Sequence, residues 1–201
     1  VLSATIDKYT YLTVRNLPPF FEHRNRIVYR LIETTGTVVE IRHPTVRAVL
    51  LQLGLQDMEI HHDADLPARS GMGTSSAFTV GLLNACHALK GERVSKADLA
   101  LEAIHIEQNV LKETVGSQDQ VAAAYGGLNH ISFSGCVVPG FVVDPVPLRP
   151  GRLEEFHRHL LLFFTGVSRT ASEVAGTFVP DIAKNQVLLA SATDVAAGLE
   201  I

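Results

Sequence analysis

The sequence predicts an α+β fold, because strand-like and helix-like segments follow one another without regular alternation. β-Branched and aromatic residues dominate residues 1–14, whereas helical spacing and helix-capping residues dominate 75–89 and 96–113. The sequence contains no internal repeat, low-complexity tract or heptad array. A chain of 201 residues that is 46% hydrophobic can bury a core of its own.

The N-terminal part is predicted to contain mostly strands. Pro18 and Pro19 should end the first strand, and Pro44 and Gly54 are typical of the two ends of a helix. The predicted elements are strands at 1–14, 26–31 and 38–41, a helix from Pro44 to Gly54 and a strand at 57–67.

The remainder is predicted to be richer in helix. The segment 75–89 is apolar nearly all round, so its helix should be central and covered on most sides. Ser95 and Asp98 are typical of a capped helix start, and that helix should end near Thr114. The other predicted elements are a helix at 119–125, strands at 128–133, 140–144 and 159–166, and helices at 169–178 and 183–200.

Composition excludes some classes of function. The formal net charge is −4 and the basic residues are scattered, so we expect no nucleic-acid surface. The sequence has neither an apolar run of about 20 residues nor an export signal, so we expect no membrane partner. Two cysteines are too few for a disulfide framework, and Cys86 lies in an apolar helical run. We therefore expect a buried, reduced thiol and a cytoplasmic location.

A glycine-rich segment precedes the central helix. Gly71 and Gly73 permit close approach of a ligand to the backbone, and a helix N-terminus favours an anion. The hydroxyls of Thr74, Ser75 and Ser76 can donate to phosphate oxygens or ligate Mg²⁺. Serine and threonine are also ordinary helix caps, so a phosphate site and a simple cap both remain open.

Two better-known phosphate-binding patterns do not fit this loop. A Walker-type loop needs Gly-Lys-Ser/Thr, which the chain lacks. Gly71, Gly73 and Ser76 nearly match a dinucleotide fingerprint, but no clear βαβ partner strand with a ribose-binding acid follows at the usual distance.

Two carboxylates stand out beyond the loop. On a helix over 96–113, Glu107 falls within an apolar arc and needs a cation or hydrogen-bond donors as compensation. Mg²⁺ and an Arg or Lys are the two candidate partners. Asp119 lies at a predicted helix start, where an acid is common. With the loop, these carboxylates supply the parts of Mg²⁺-dependent phosphoryl transfer. The arc also contains Leu99, Ala100, Ala103, Ile104, Ile106, Val110 and Leu111.

Two motifs resemble those of the GHMP kinases, the superfamily of galactokinase, homoserine kinase and mevalonate kinase. They read "LPARSGMGTSSA" at 66–77 and "VGSQDQVAAAYGG" at 115–127. The resemblance implies an ATP-dependent small-molecule kinase with Asp119 as the acid that orients or deprotonates the acceptor hydroxyl. It also implies that Ser75 and Glu107 ligate Mg²⁺. The residues that it assigns to the ATP phosphates are Ser70, Gly71, Met72, Gly73, Thr74, Ser75 and Ser76.

Three further stretches, "VLSATIDKY", "IEQNVLKETVGSQDQ" and "TGVSRTASEV", resemble the D-glycero-D-manno-heptose 7-phosphate kinases. This resemblance implies phosphorylation of the anomeric hydroxyl of a sugar phosphate, with Arg69 and Arg169 as candidate substrate contacts. Fucose- or galactose-like sugars are the nearest alternatives, and a non-catalytic nucleotide-binding remnant is another.

The same resemblance implies a two-domain fold, with a ribosomal-protein-like N-terminal domain at 1–170 and the start of a C-terminal α+β domain at 171–201. The family's first and third motifs are absent from the sequence, so we expect the chain to be truncated at both ends.

Overall fold

The computed structural model describes residues 1–67, 70–134, 140–161 and 163. A 3-10 turn lies at Val38–Glu40 and a π-helical segment at His105–Val110. The helices are α1 (Pro44–Leu53), α2 (Thr74–Leu89), α3 (Lys96–Ile104), α4 (Gln118–Tyr125) and α5 (Arg152–Arg158). The strands are β1 (Leu2–Ala4), β2 (Thr10–Asn16), β3 (Asn25–Val28), β4 (Ile32–Thr35), β5 (Met58–Ala64), β6 (Leu128–Phe133) and β7 (Phe141–Pro145).

The described strands form two sheets. A four-stranded sheet has the order β2-β5-β3-β4, and a three-stranded sheet has the order β1-β6-β7. Strands β3 and β5 are parallel and are connected through β4 and α1, whereas the other pairs are antiparallel. This mixture of antiparallel pairs, one parallel pair and separate helices confirms the predicted α+β class.

Helices α1 and α2 cover one face of the four-stranded sheet. Both contribute fully buried side chains to a core that includes Ile60 of β5. Gly81 lets α2 approach β2, because a Cβ placed there would lie 2.8 Å from Leu12 Cδ1. A smaller core joins α3 and α4 to the three-stranded sheet through Val121 and Ile131. Helix α2 is therefore the central helix that the sequence predicts.

The boundaries of α1 follow the predicted signals. Pro44 is its first residue, and the His43 side chain accepts a hydrogen bond from the backbone N–H of Val46. Gly54 ends the helix in the left-handed conformation at φ 65°, a region that glycine adopts without steric cost.

The predicted strand at 38–41 is wrong, because a local hydrogen-bond network replaces strand pairing there. The Glu40 carboxylate accepts from the backbone N–H groups of Gly36 and Thr37 at 3.0 and 2.8 Å. These bonds close a capping box around the 3-10 turn.

The predicted strand at 159–166 is also wrong where the structure describes it. The backbone N–H groups of His159 and Leu160 bond back to the last turn of α5. Leu161 and Phe163 are exposed, so these apolar residues have no paired strand to support them. Residues 162 and 164–166 lie outside the described part, as do the predicted helices at 169–178 and 183–200.

Cys86 is fully buried and unpaired in the middle of α2. Burial raises the pKa of its thiol to about 12, since an apolar surrounding disfavours the thiolate. The expected buried, reduced thiol is thus confirmed at this position, whereas Cys136 lies outside the described residues. No helix in 1–67, 70–134 or 140–161 is both long and apolar enough to cross a bilayer.

His87 connects α2 to α3 by an ionic contact. Its ring nitrogens lie 2.7 Å from the Glu92 carboxylate and 2.9 Å from the Glu102 carboxylate. Burial opposes protonation of the ring, but the carboxylates of Glu102 and Glu92 outweigh that effect and raise the pKa of His87. The protonated ring therefore stabilises the folded protein more than the neutral ring.

We expect His87→Gln to destabilise the protein in a pH-dependent way. Since the folded-state pKa of His87 is raised, its ionic contribution is complete below the unfolded-state pKa and is lost as pH rises through the folded-state value. The loss should be about 2 kcal/mol near pH 5.5 and smaller near pH 9. Urea unfolding of a double-mutant cycle with Glu102→Gln measures the coupling, and equal coupling at both pH values would contradict the assignment.

Candidate active site

The glycine-rich loop joins the end of β5 to the start of α2. Gly71 and Gly73 both have positive φ, at 75° and 68°, and Gly73 caps the helix. These left-handed conformations explain the glycines, because other residues adopt them only with strain. Thr74 begins the sixteen-residue helix α2, so the free N–H groups of its first turn face the loop.

The hydroxyls of the loop point into different surroundings. Ser75 is exposed and Thr74 half-buried, whereas Ser76 is 5% exposed and faces inward. The Ser70 hydroxyl is buried and has no hydrogen-bond partner within the described residues. Met72 is exposed beside the two glycines. The predicted phosphate-binding residues from Ser70 to Ser76 therefore divide into an outward group and an inward group.

Glu107 is buried, as the sequence predicts, and is 2% exposed. Ser76 Oγ donates to Glu107 Oε2 at 3.0 Å, and Thr79 Oγ1 donates to Oε1 at 2.7 Å. The Gln120 amide donates a further hydrogen bond to Oε2. Neutral donors thus compensate the carboxylate, and no Arg or Lys within the described ranges forms an ion pair with it.

The helix that carries Glu107 differs from the predicted one. Helix α3 ends at Ile104 and continues as the π-helical segment, and the backbone N–H of Leu111, directly after that segment, bonds to the carbonyl of Ile106 at 2.9 Å. The wider turn changes the phase of the helix, so Val110 is 46% exposed although it was predicted to lie in the apolar arc. The Glu107 side chain nevertheless remains buried, as the predicted helix would place it. Single π turns occur frequently at functional sites.

Asp119 lies beside the glycine-rich loop. A Cβ placed on Gly73 would lie 3.6 Å from both Cγ and Oδ2 of Asp119. Part of the Asp119 side chain is open to solvent, but desolvation by the surrounding protein raises the pKa of its carboxyl. The structure therefore brings the loop, Glu107 and Asp119 together, although they are far apart in sequence.

Thr79 and Gln120 were not singled out from the sequence. Thr79 lies one helical turn after Ser76, so helical spacing alone could have placed both hydroxyls on one face of α2. Gln120 gives no such signal, because a polar residue in the first turn of a helix is ordinarily solvated. Arg69 and Arg169 lie outside the described residues.

The adjacent histidines on β5, His61 and His62, lie on opposite faces of the strand. His61 Nε2 lies 2.8 Å from Glu59 Oε1, whereas the His62 ring packs against Phe78 with centroids 4.6 Å apart. His157 and His159 are exposed at the end of α5. Within the described ranges, no three metal-ligating His, Cys, Asp or Glu side chains group together.

A groove of about 310 Å³ lies at the C-terminal end of α1. Leu50, Leu55 and the Arg24–Asp57 ion pair contribute to its walls. None of the candidate active-site residues lines it. The candidate active site beside α2 is therefore identified by the chemistry of its side chains and not by the volume of a cavity.

Comparison with protein families matches residues 37–127 to the GHMP kinases N terminal domain. The D-glycero-alpha-D-manno-heptose 7-phosphate kinase of Campylobacter jejuni is 30% identical over 115 residues, which is 57% of this chain and 33% of that protein. The galactokinase of Glaesserella parasuis is 27% identical over 93 residues, covering 46% of this chain and 24% of that protein. This chain thus spans a third or less of each curated relative.

Among solved structures, a D-glycero-D-manno-heptose 1-phosphate kinase from Bacteroides thetaiotaomicron has the same fold, with a TM-score of 0.71 at 24% identity. The match covers 94% of this chain and 63% of that chain. Residues 37–127 thus match the GHMP kinases N terminal domain, and the chain shares the fold of that heptose 1-phosphate kinase.

Proposed function

We propose that this chain supplies the ATP-phosphate and acid–base portion of an ATP- and Mg²⁺-dependent sugar kinase. The observation that carries the proposal is the position of Asp119 directly beside Gly73 of the glycine-rich loop. A phosphoryl-transfer site needs this arrangement, because the acceptor hydroxyl must approach the transferred phosphoryl group in line. The reaction breaks the bond between the β- and γ-phosphates and forms a new ester bond to the acceptor alcohol.

The loop supports ATP binding through its backbone. Gly71 and Gly73 carry no side chain that would keep a phosphate from the backbone, and the α2 dipole favours negative charge at this end. Thr74 and Ser75 add hydroxyl donors on the outward side. In this proposal the segment from Ser70 to Ser76 binds the phosphates of ATP.

The residues around Glu107 fit Mg²⁺ by their chemistry. Carboxylate and hydroxyl oxygens are the ligands that this hard cation prefers, and Glu107 contacts the hydroxyls of Ser76 and Thr79. Gln120 Oε1 is buried in the same cluster and has no hydrogen-bond partner among the residues that the structure describes, so an oxygen remains available. We infer that Glu107 and Ser75 hold the ion, which when bound neutralises charge on the ATP phosphates.

Asp119 is proposed to orient the acceptor hydroxyl and to accept its proton at a carboxylate oxygen. Desolvation raises the pKa of Asp119, which makes the carboxylate a stronger base than an ordinary exposed aspartate. The adjacent loop would position the phosphoryl group that this hydroxyl attacks.

For the acceptor, we propose the anomeric hydroxyl of a sugar phosphate, with D-glycero-D-manno-heptose 7-phosphate preferred. The name of the Campylobacter relative supports this choice. The Bacteroides structure is named for a heptose 1-phosphate instead, and the Glaesserella relative for galactose. A fucose- or galactose-like sugar is therefore the alternative acceptor. Arg69 and Arg169 are the candidate contacts to a phosphate group of the substrate. The proposed location of the protein is the cytoplasm, because ATP is available there.

We expect Asp119→Asn, in the full-length natural protein, to retain ATP binding and to lose at least about 100-fold in kcat. The amide keeps the size of the side chain but cannot accept the proton. Steady-state kinetics and ATP-binding calorimetry measure the two effects. Asp144→Asn, on the exposed part of β7, is the matched control and should leave kcat unchanged. Turnover by Asp119→Asn within about tenfold of the parent would sink the assignment.

We expect Glu107→Leu and Glu107→Gln to separate stability from catalysis. Leucine leaves the donors of Ser76, Thr79 and Gln120 without an acceptor, which should cost about 3 kcal/mol or more of unfolding free energy. Glutamine keeps an acceptor, and its amide can donate to Thr79 Oγ1 while the Thr79 proton bonds to the Ser75 carbonyl at 3.1 Å. Its cost should stay near 1 kcal/mol.

Both Glu107 variants should nevertheless lose Mg²⁺-dependent turnover, because neither presents a carboxylate to the ion. Urea unfolding without metal and a Mg²⁺ titration of activity make the comparison. A stable Glu107→Gln protein with the parent's Mg²⁺ dependence would show that Glu107 is structural only.

We expect a sugar that carries a phosphate distant from its anomeric carbon to have a higher kcat/KM than the unphosphorylated sugar. A basic side chain that contacts this phosphate would bind the correct substrate more tightly. A panel of heptose, fucose and galactose substrates, each with and without the phosphate where available, measures the ratio. Equal kcat/KM values would remove the heptose 7-phosphate proposal and leave the kinase class untouched.

A further inference from the structure

We propose that Gln120 is a positioning residue, which fixes the Asp119 carboxylate relative to the glycine-rich loop through its hydrogen bond to Glu107. The proposal rests on the proposed function for its catalytic consequence. It concerns a residue to which the sequence resemblance assigns no role, and it derives from a buried contact between α4 and the π-helical segment.

Gln120 occupies an unusual environment for a polar residue at a helix start. It is the third residue of α4 and is 1% exposed. Its Nε2 donates to Glu107 Oε2, while its Oε1 is buried and has no partner within the described residues. Burying an unpaired amide oxygen costs free energy, so packing alone would be better served by an apolar side chain of similar length. The donor function explains why an amide stands there.

The contacts of Gln120 connect α4 to the first turn of α2. Ser76 and Thr79 of α2 donate to the same carboxylate, so Glu107 bridges the two helices. Asp119 precedes Gln120 directly and lies against Gly73 at the cap of α2. Asp119 therefore lies beside the cap of α2, and the next residue, Gln120, is linked to the first turns of α2 through Glu107. A change in the Gln120 contact must move Asp119 relative to the loop.

A second contact shows which part of α4 depends on Gln120. Gln108 Nε2 donates to the Val115 carbonyl and to Ser117 Oγ at 3.1 and 3.2 Å. This pair holds the segment that leads into α4. It does not hold the helix itself against α2. Val121 packs the same turn of α4 into the smaller core, and the bond between Gln120 and Glu107 is the polar contact that ties this turn to the residues of α2.

The test compares Gln120→Met and Gln120→Asn with Gln118→Met in the full-length natural protein. Methionine keeps the length of the side chain but has no hydrogen-bond donor. Asparagine keeps the amide, but its side chain is one methylene shorter, so the amide no longer reaches Glu107. Gln118 is exposed in the same helical turn and serves as the matched control. Hydrogen–deuterium exchange is measured without ATP or metal on peptides covering 74–79 and 105–121, with 58–64 as reference. Steady-state kinetics give kcat and the KM for ATP.

We expect both Gln120 variants to exchange several-fold faster in 74–79 and 105–121 while 58–64 is unchanged. We also expect kcat to fall at least about tenfold with the KM for ATP within about threefold, because small misplacements of a reacting group affect the transition state more than binding. Gln118→Met should match the parent in both measurements.

Unchanged exchange together with kcat within twofold of the parent would overturn the proposal. Faster exchange throughout the protein, with kcat and KM altered together, would overturn it as well, because that result marks a general loss of packing. If the parent transfers no phosphoryl group to any sugar, the kinase proposal fails, and the local exchange result alone decides for or against positioning by Gln120. If Gln120→Met does not fold, the Gln120→Asn data decide.

Discussion

One buried carboxylate determines how the helices of this domain meet. Glu107 sits in an apolar interior and must have its oxygens hydrogen-bonded, since an unpaired buried charge would cost several kcal/mol. Its donors come from α2 and α4, which are separated in sequence by α3 and the π-helical segment. Satisfying this one group therefore fixes three segments against one another. The glycine-rich loop and Asp119 occupy their positions as a result.

The first turn of α2 and the rest of the helix serve different purposes. Its apolar side chains pack between the four-stranded sheet and the neighbouring helices, so the helix is rigid along most of its length. Its first turn is polar, with hydroxyls turned both to solvent and to the interior. A rigid helix with a polar first turn gives an anion-binding end a constant position, which a loop without such support would not provide.

The sequence predicted the parts of the fold that depend on local signals. Helix α1 begins and ends at Pro44 and Gly54, and α2, α4, β5 and β6 lie where periodicity and caps place them. The errors occurred where local interactions compete with periodicity. At 38–41, the hydrogen bonds of Glu40 stabilise a 3-10 turn in a β-branched run that was predicted to be a strand. At 159–166, the first residues of the predicted strand bond back to the last turn of α5 instead. The inward position of Glu107 was predicted, but the reason for it required the tertiary contacts of Gln120 and Thr79.

The π-helical segment makes the site sensitive to chain length. A π turn contains one residue more than an α-helical turn, so it behaves as a local insertion within the helix that begins at α3. Deleting one residue between His105 and Val110 would restore regular α-helical geometry and improve the local hydrogen bonds. It would also change where the Glu107 carboxylate lies relative to its donors on α2 and α4. We therefore expect the site to be more sensitive to a single-residue insertion or deletion in this segment than to a substitution that keeps the polarity of its position.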